Sequence, residues 1–125
     1  MSKSLHIKPT ESELEILQVL WQKGQATVRE VHEELSTIKD SGYTTTLKLM
    51  QIMHDKGLVK RDDSAKSHVY RANLSKEKTQ QHIVGKMMST LFEGSASQLV
   101  MRALGSQKPS KAEIEEIQKL LDQLK

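Results

Sequence analysis

The chain has 125 residues, enough for one domain or for a small domain with an extension. It contains no cysteine, which excludes disulfides, zinc fingers and thiol chemistry. No run approaches the roughly 18 apolar residues of a membrane span, and the N-terminus lacks the apolar region of a signal peptide, so we expect a cytoplasmic protein without membrane insertion.

The net charge of +3 is unevenly distributed along the chain. Residues 9–38 carry a net charge of −4, whereas residues 39–71 carry +3. A basic surplus confined to one segment is typical of an anion-binding face, although a randomly charged surface explains so small an excess equally well.

Two capping boxes predict the first two helices. Thr10 is followed three residues later by Glu13, and a second Thr-x-x-Glu box begins at Thr27. Apolar residues at helical spacing follow each box. Gly24 is expected to end the first helix, and the second helix fades near Ser36.

A third helix is predicted from Gly42 or Tyr43 to Lys56, closed by Gly57. Its sequence begins "YTTTLKLM", although Thr is a mediocre helix former because its branched Cβ restricts χ1. At 100° per residue, its apolar face consists of Leu49, Met50 and Met53, with Thr46 at the edge. The opposite face consists of Thr44, Lys48 and Gln51, flanked by Thr45, Leu47 and Ile52.

After Gly57 the period changes from helical to alternating, which predicts a β-hairpin. Its strands are expected at residues 58–61 and 67–71, with a polar turn at 62–66. Two helices, a third helix and a hairpin follow the order of a winged helix-turn-helix domain, which we place at residues 1–73. The fold class is therefore mainly α with a small β-hairpin wing.

Residues 74–125 are predicted to form a three-helix dimerisation domain. Helices are expected at about 76–93 and 96–104, each stopped by a glycine (Gly94 and Gly105), and from a third capping box at Ser110 to the C-terminus. The apolar stripes fit an intramolecular core, but a helical bundle this small is only marginally stable by itself. The alternative is that two copies bury their stripes against each other in a two-fold dimer. Such a dimer also suits a DNA-binding protein. The predicted dimerisation residues are Val84, Met87, Met88, Leu91, Phe92, Leu99, Val100, Leu104, Ile114, Ile117, Leu121 and Leu124.

No catalytic or metal-binding motif in the sequence is complete. The segment "HEEL" lacks the second histidine of a zinc-protease motif because Ser36 occupies that position. The segment "GKMMST" lacks the first glycine and the hydroxyl of a phosphate loop. The five histidines, at positions 6, 32, 54, 68 and 82, show no ligand spacing. We expect no enzyme, cofactor or metal, with an enzyme as the third alternative.

The third helix and the hairpin predict a DNA interface. The second helix of a helix-turn-helix pair lies in the major groove with its N-terminal residues at the base edges. Threonine hydroxyls and methyls, lysine and glutamine suit contacts to bases, and basic hairpin residues suit phosphates. Two observations oppose this: Thr44 fits a simple N-cap, and Asp62 and Asp63 repel phosphate unless they face away or pair with a lysine. The predicted DNA-binding residues are Thr27, Arg29, Tyr43, Thr44, Thr45, Lys48, Gln51, Lys60, Arg61, Lys66, His68 and Arg71.

The sequence resembles the BlaI/MecI/CopY family of penicillinase repressors over almost its whole length. The matching segments are "TESELEILQVLW" (10–21), "TVREVHEEL" (27–35), "YTTTLKLMQIMHDKGLVKR" (43–61), "HVYRANL" (68–74), "LFEGSASQLV" (91–100) and "SKAEIEEIQKLLDQL" (110–124). The resemblance implies a bacterial repressor that binds a two-fold operator in double-stranded DNA as a homodimer. The alternative is a winged-helix protein-interaction module that does not bind DNA.

In the antibiotic-responsive members of this family a membrane sensor-protease triggers cleavage of the repressor in its C-terminal domain, commonly at an Asn-Phe bond, so the resemblance allows such a protease as a partner. Here the matching region reads Val100-Met101-Arg102-Ala103, so that bond is missing. The absence of cysteine removes the copper-responsive route, and Ile52 stands where an arginine is common. The inducing signal therefore stays open.

Overall fold

The computed structural model describes residues 8–125, and the expectations for the N-terminal segment and His6 lie outside them. It confirms the predicted mainly helical fold with a small antiparallel sheet. The helices are α1 (Glu11–Lys23), α2 (Val28–Leu35), α3 (Tyr43–Lys56), α4 (Lys76–Leu91), α5 (Ala96–Ser106) and α6 (Lys111–Leu124). The strands are β1 (Ala26–Thr27), β2 (Val59–Asp62) and β3 (Val69–Ala72). No described helix is long and apolar enough to cross a membrane.

The two N-terminal capping boxes form as predicted. Thr10 Oγ1 accepts a hydrogen bond from the Glu13 backbone at 3.2 Å, and Glu13 Oε1 accepts one from the Thr10 backbone at 2.9 Å. The box of Thr27 and Glu30 repeats this pattern at the start of α2. Gly24 ends α1 with a φ of 87°, a conformation that glycine adopts without strain.

A single core joins α1, α2, α3 and the sheet. Its fully buried side chains are supplied by every one of these elements and include Ile16, Leu17, Leu20, Val31, Met50, Met53, Leu58 and Tyr70. Thr46, which we expected at the edge of the apolar face of α3, is instead 1% exposed and belongs to this core. Its hydroxyl donates to the Gly42 carbonyl at 3.4 Å, so burial does not leave it unpaired.

The sheet has three strands in the order β1-β3-β2, both pairings antiparallel. We did not predict β1, a two-residue strand that pairs Ala26 with Tyr70 and Thr27 with Val69. The hairpin strands are also shifted from the predicted bounds. β2 includes Asp62 but not the buried Leu58, and β3 begins at Val69, so residues 67–68 belong to the turn.

An ion pair between a buried carboxylate and a half-buried lysine links the start of α1 to the end of α3. Lys56 Nζ lies 2.8 Å from Glu13 Oε2, and Glu13 is 1% exposed. Burial raises the pKa of Glu13, but the hydrogen bonds and charge of Lys56, together with the Thr10 backbone, lower it by more, so the net pKa is below the ordinary value. Glu13 therefore serves as helix cap and as ion-pair partner.

The C-terminal helices differ from the prediction at two ends. α4 stops at Leu91, and both Glu93 (φ 52°) and Gly94 (φ 81°) adopt left-handed conformations after it. α5 runs through Gly105 to Ser106, because a glycine can be accommodated within a helix at a cost of about 1 kcal/mol. The Ser110 capping box starts α6 as predicted. Contacts divide the chain into one unit that ends at Ile83 and a second from Val84 to Lys125.

Replacing Glu13 by Gln should lower the free energy of unfolding by about 1–2 kcal/mol at pH 7, because Lys56 loses its charged partner while the cap acceptor stays. The pKa of Glu13 is lowered by folding, so this stabilisation is present above the ordinary glutamate pKa and is lost as pH falls through the lowered value. Urea unfolding at pH 7 and pH 3 measures both effects.

The matched control is Glu15→Gln, which breaks an exposed pair with Lys39 and should cost little. Equal losses in the two variants, or a loss for Glu13→Gln that does not shrink at low pH, would contradict the assignment.

Candidate nucleic-acid interface

The start of α3 is open, unlike the starts of the other helices. Gly42 is its N-cap and offers no side-chain hydrogen bond. α1, α2, α5 and α6 begin with a side-chain acceptor, and Ser75 accepts from the Lys78 backbone in the first turn of α4. The alternative that Thr44 is merely an N-cap is therefore wrong. The first-turn backbone N–H groups of α3 have no side-chain acceptor. Unpaired N–H groups at the start of a helix favour the binding of an anion such as a phosphate.

The outward face of α3 is polar, as the helical period predicts. Thr44, Thr45, Lys48 and Gln51 are exposed, and Ile52 on the flank is 38% exposed. Two short threonine side chains at the first turn leave the backbone accessible, and Lys48 lies one turn further on. This face can approach a surface closely and offer hydroxyl, ammonium and amide groups to it.

A groove of about 360 Å³ separates the start of α2 and the face of α3 from the end of the hairpin turn. It brings together six of the predicted DNA-binding residues, from β1, α2, α3 and the hairpin turn. These are Thr27, Arg29, Tyr43, Gln51, Lys66 and His68. Hydrogen-bonding side chains of α2, of α3 and of the hairpin turn therefore line one groove.

Arg29 is held at this groove by an aromatic stack. Its guanidinium lies 5.7 Å from the centre of the Tyr43 ring, within the range of a cation–π contact. The edge of the His32 ring packs against Tyr43 at a centroid distance of 5.8 Å. His32 Nδ1 is buried without a hydrogen-bond partner among the described residues, so this packing carries a desolvation cost.

The remaining hairpin cations lie on another surface. Lys60, Arg61 and Arg71 line a second cavity, of about 540 Å³, whose other polar residues are Asp62 of β2, His54 of α3 and Gln25 just before β1. The register places Lys60 directly opposite Arg71, and both are exposed. We call this second cavity the outer cavity. The structure thus divides the predicted basic hairpin residues between two sites.

The hairpin carboxylates are both engaged within the wing. Asp62 Oδ1 accepts a hydrogen bond from the Ser64 backbone at 2.9 Å, and this bond lowers the pKa of Asp62. Asp63 Oδ1 lies 2.7 Å from Arg61 Nε and 3.5 Å from His68 Nδ1. Asp63 therefore pairs with an arginine and a histidine rather than with a lysine, which answers part of the objection that these carboxylates repel phosphate.

Arg61 differs from the other predicted cations because it is shielded. Its side chain is 24% exposed, and the Tyr70 side chain and the Asp63 carboxylate raise the pKa of its guanidinium. It is permanently charged but already partnered. We therefore expect it to fix the shape of the wing more than to meet a ligand.

Most of the cations predicted to bind DNA have no ion-pair partner among the described residues. Within the described part of the chain, ion pairs engage Lys23, Lys39 and Lys56 with glutamates of α1 and α2. No described carboxylate lies within ion-pair distance of Arg29, Lys48, Lys60, Lys66 or Arg71. Their charge remains available to an anionic partner.

Several residues that line or support these two sites were not predicted as site residues, and four polar ones illustrate why. Ser67 lines the groove, Gln25 and His54 line the outer cavity, and His32 supports Tyr43. Their polar side chains were visible, but only the β1–β3 pairing, which we did not predict, brings Gln25 beside the hairpin. No group of three or more potential metal ligands occurs among residues 8–125.

The helix-turn-helix, the hairpin wing and the second helical unit together define the winged-helix class of transcriptional regulator. Within that class the chain belongs to the penicillinase repressor family, whose profile it matches over residues 9–123. The membership agrees with the resemblance read from the sequence, and the family is one of transcriptional repressors.

The curated relatives include the methicillin resistance regulatory protein MecI of Staphylococcus aureus strain N315 and of Staphylococcus epidermidis. Each is 22% identical to this chain over 113 residues, which cover 90% of this chain and 92% of the relative. The similarity therefore extends through both units.

The stack of Arg29 on Tyr43 predicts that the Arg29 side-chain protons are shifted upfield by the aromatic ring current. Tyr43→Leu keeps an apolar side chain but should return these resonances to ordinary values in a proton–carbon NMR spectrum. Arg102, in α5, is the internal reference and should not move. Unshifted Arg29 resonances in the wild-type protein would show that the contact is absent in solution.

Proposed function

We propose that this chain represses transcription by binding a two-fold DNA operator as a homodimer, with α3 in the major groove. The observation that carries the proposal is the convergence of unpaired cations and short polar side chains on one surface around α3. Thr44 and Thr45 lie at the open helix start, and Lys48 and Gln51 follow one turn apart. This is the order in which a recognition helix meets base edges.

Each group of the α3 face has a chemical counterpart in the groove of duplex DNA. Lysine reaches the O6 and N7 acceptors of guanine, the glutamine amide matches N6 and N7 of adenine, and threonine methyls suit the thymine methyl. The open first turn of α3 supplies backbone N–H donors for a phosphate. We assign Lys48 and Gln51 to bases and Thr44 and Thr45 to bases or to the adjacent backbone.

The groove beside α3 supplies the positioning contacts. Arg29 on the Tyr43 ring, Lys66 and His68 line it, and Thr27 closes its far side. Contacts of such side chains to phosphates fix register without reading sequence. Tyr43 thus holds Arg29 beside the first turn of α3, where the phosphate backbone of one DNA strand would pass.

The second unit supports the dimer. α5 and α6 contain no buried residue, and Leu91, Ile114, Leu121 and Leu124 are each at least half exposed. Met101 and Leu120, which we did not predict, widen the exposed apolar set. None of the predicted dimerisation residues is buried within the chain. Apolar stripes this extensive favour burial against a second copy over exposure to water.

Dimerisation and DNA binding are linked by avidity. Two recognition helices on one duplex face bind far more tightly than one, because the second contact is intramolecular. Separation of the dimer would therefore release the operator. A membrane sensor-protease remains our hypothesis for the trigger, although the missing Asn-Phe bond, at Val100–Ala103, means that any cleavage would need a different bond.

The test is a gel shift with the DNA upstream of the chain's own gene. Retarded DNA that resists excess unrelated duplex supports the repressor. Absence of any DNA binding, with capture of a protein partner instead, would favour the interaction module.

Replacing Lys48 by Ala should weaken operator binding by about tenfold or more, because each good base contact is worth about 1–3 kcal/mol. Fluorescence anisotropy with the shifted fragment measures the dissociation constant. The control is Lys119→Ala, an exposed lysine of α6, which should bind like the wild-type protein. Unchanged affinity of the Lys48 variant would remove its assigned role.

Replacing Leu121 by Asp should yield monomers, because a carboxylate in the apolar seam would be buried without a partner. Sedimentation velocity measures the mass, and circular dichroism confirms retained helices. Asp122→Leu, one residue away, is the control and should stay dimeric. A dimeric Leu121 variant would show that the seam lies elsewhere.

A further inference from the structure

The division between the two units of the chain falls inside a single helix. α4 runs without interruption from Lys76 to Leu91, whereas the contacts separate the units between Ile83 and Val84. Gly85 lies next to this division, in the interior of the helix. Glycine is a poor helix former because its backbone loses the most conformational freedom on ordering. The residue least suited to a helix therefore lies where the two units are joined.

Neither backbone conformation nor packing requires a glycine at this position. Gly24 and Gly57, which end helices, have φ angles of 87° and 82°, but Gly85 has no positive φ and lies within regular helix. A methyl group at Gly85 would meet no atom of the described residues within 4 Å outside the adjacent helix backbone. Alanine would therefore fit without a clash and would strengthen α4.

A second feature loosens the same part of α4. The Lys86 carbonyl accepts a hydrogen bond from Ser89 Oγ at 3.1 Å and another from Thr90 Oγ1 at 2.7 Å. Side-chain hydroxyls that bond to a carbonyl one turn earlier compete with the backbone ladder and often bend the helix. Neighbouring glycine and serine residues are also a common cause of sharp kinks. Residues 85–90 are thus the part of α4 that bends most easily.

The start of α4, by contrast, is fastened to the first unit. Trp21 Nε1 of α1 donates a hydrogen bond to the Leu74 carbonyl at 2.9 Å, and Thr79 in α4 is only 9% exposed. Beyond Gly85, Leu91 belongs to the apolar stripe that we assign to the dimer. A bend at Gly85 would therefore turn the whole first unit, together with α3, relative to the dimerised helices.

We propose that Gly85 is a hinge that determines how far the spacing of the two operator half-sites can vary. The proposal rests on the proposed function, a homodimer on a two-fold operator. One base pair inserted between the half-sites separates them by about 3.4 Å more and rotates them by roughly 35° about the duplex axis. A rigid α4 would hold the two copies of α3 at one spacing, whereas a hinge lets each copy follow its half-site.

The experiment compares the wild-type protein with the variant Gly85→Ala. Fluorescence anisotropy measures binding to the operator fragment and to fragments with one base pair added or removed at the centre of symmetry. The control is Gly105→Ala, which makes the same change inside α5, where a methyl group would likewise meet no described atom within 4 Å outside the adjacent backbone. Sedimentation velocity and thermal unfolding are recorded for each protein.

Gly85→Ala should bind the native spacing at least as tightly as the wild-type protein. On the altered spacings it should lose about tenfold or more in affinity, against about threefold or less for the wild-type protein, because a strained second contact forfeits avidity. Its unfolding midpoint should rise by about 2–6 °C. Gly105→Ala should keep the wild-type response to spacing, so a change in stability alone does not produce the effect.

A measurement without DNA tests the hinge directly. The chain has no cysteine, so Gln18→Cys, at an exposed position of α1, provides one site for a nitroxide label in each copy. Pulsed electron paramagnetic resonance gives the distribution of distances between the two labels of the free homodimer. Adding Gly85→Ala should narrow this distribution, whereas adding Gly105→Ala should leave it unchanged.

Equal responses to spacing in Gly85→Ala and the wild-type protein would overturn the proposal, whatever the label distances, while leaving the repressor function intact. An unchanged distance distribution would also overturn it. A monomeric Gly85→Ala protein would instead show that the glycine allows close contact between the two copies. If the wild-type protein is monomeric or binds none of the fragments, the proposed function itself fails.

Discussion

The pairing of β3 with both β1 and β2 is the constraint on which the functional surface depends. β1 leads directly into α2, and β2 follows α3 after Gly57, so the middle strand fixes the hairpin against both helices of the pair. Thr27 pairs with Val69 and also caps α2, so one residue joins sheet register to helix start. A slip by one residue would exchange the faces of β3, exposing Tyr70 and burying Arg71.

The same register explains how one small hairpin serves two surfaces. Tyr70, buried beneath the sheet, contacts both the groove beside α3 and the outer cavity. The turn residues Lys66 and His68 fall on the groove side, whereas Lys60 and Arg71 fall on the outer face. Glutamates of α1 and α2 pair with other lysines of the domain, such as Lys56 with the buried Glu13, whereas Lys60, Lys66 and Arg71 of the hairpin have no ion-pair partner among the described residues. The proposed interface therefore rests on the distribution of charge more than on the net charge of +3.

Much of the fold was predicted from interactions between residues close in sequence. The parts that were not predicted depend on pairing between residues far apart in the chain. Capping boxes at Thr10, Thr27 and Ser110 specify helix starts through hydrogen bonds three residues apart, so the sequence alone contains the whole interaction. β1 has only two residues and exists because β3 lies beside it, which no local pattern reveals. Gly105 was predicted to end α5. It does not end the helix, because it does not adopt the left-handed conformation that a helix-ending glycine provides. The polar face of α3 followed from periodicity, whereas the division of hairpin cations followed from register.

Hydroxyl-radical footprinting of the DNA upstream of the gene tests the central claim, that two copies of α3 enter adjacent major grooves of one duplex. The account predicts two patches of backbone protection related by a two-fold axis and centred about 10–10.5 base pairs apart, or a multiple of that spacing. A single patch without a symmetry-related partner would contradict this account. So would the absence of protection at protein concentrations at which the chain is fully dimeric.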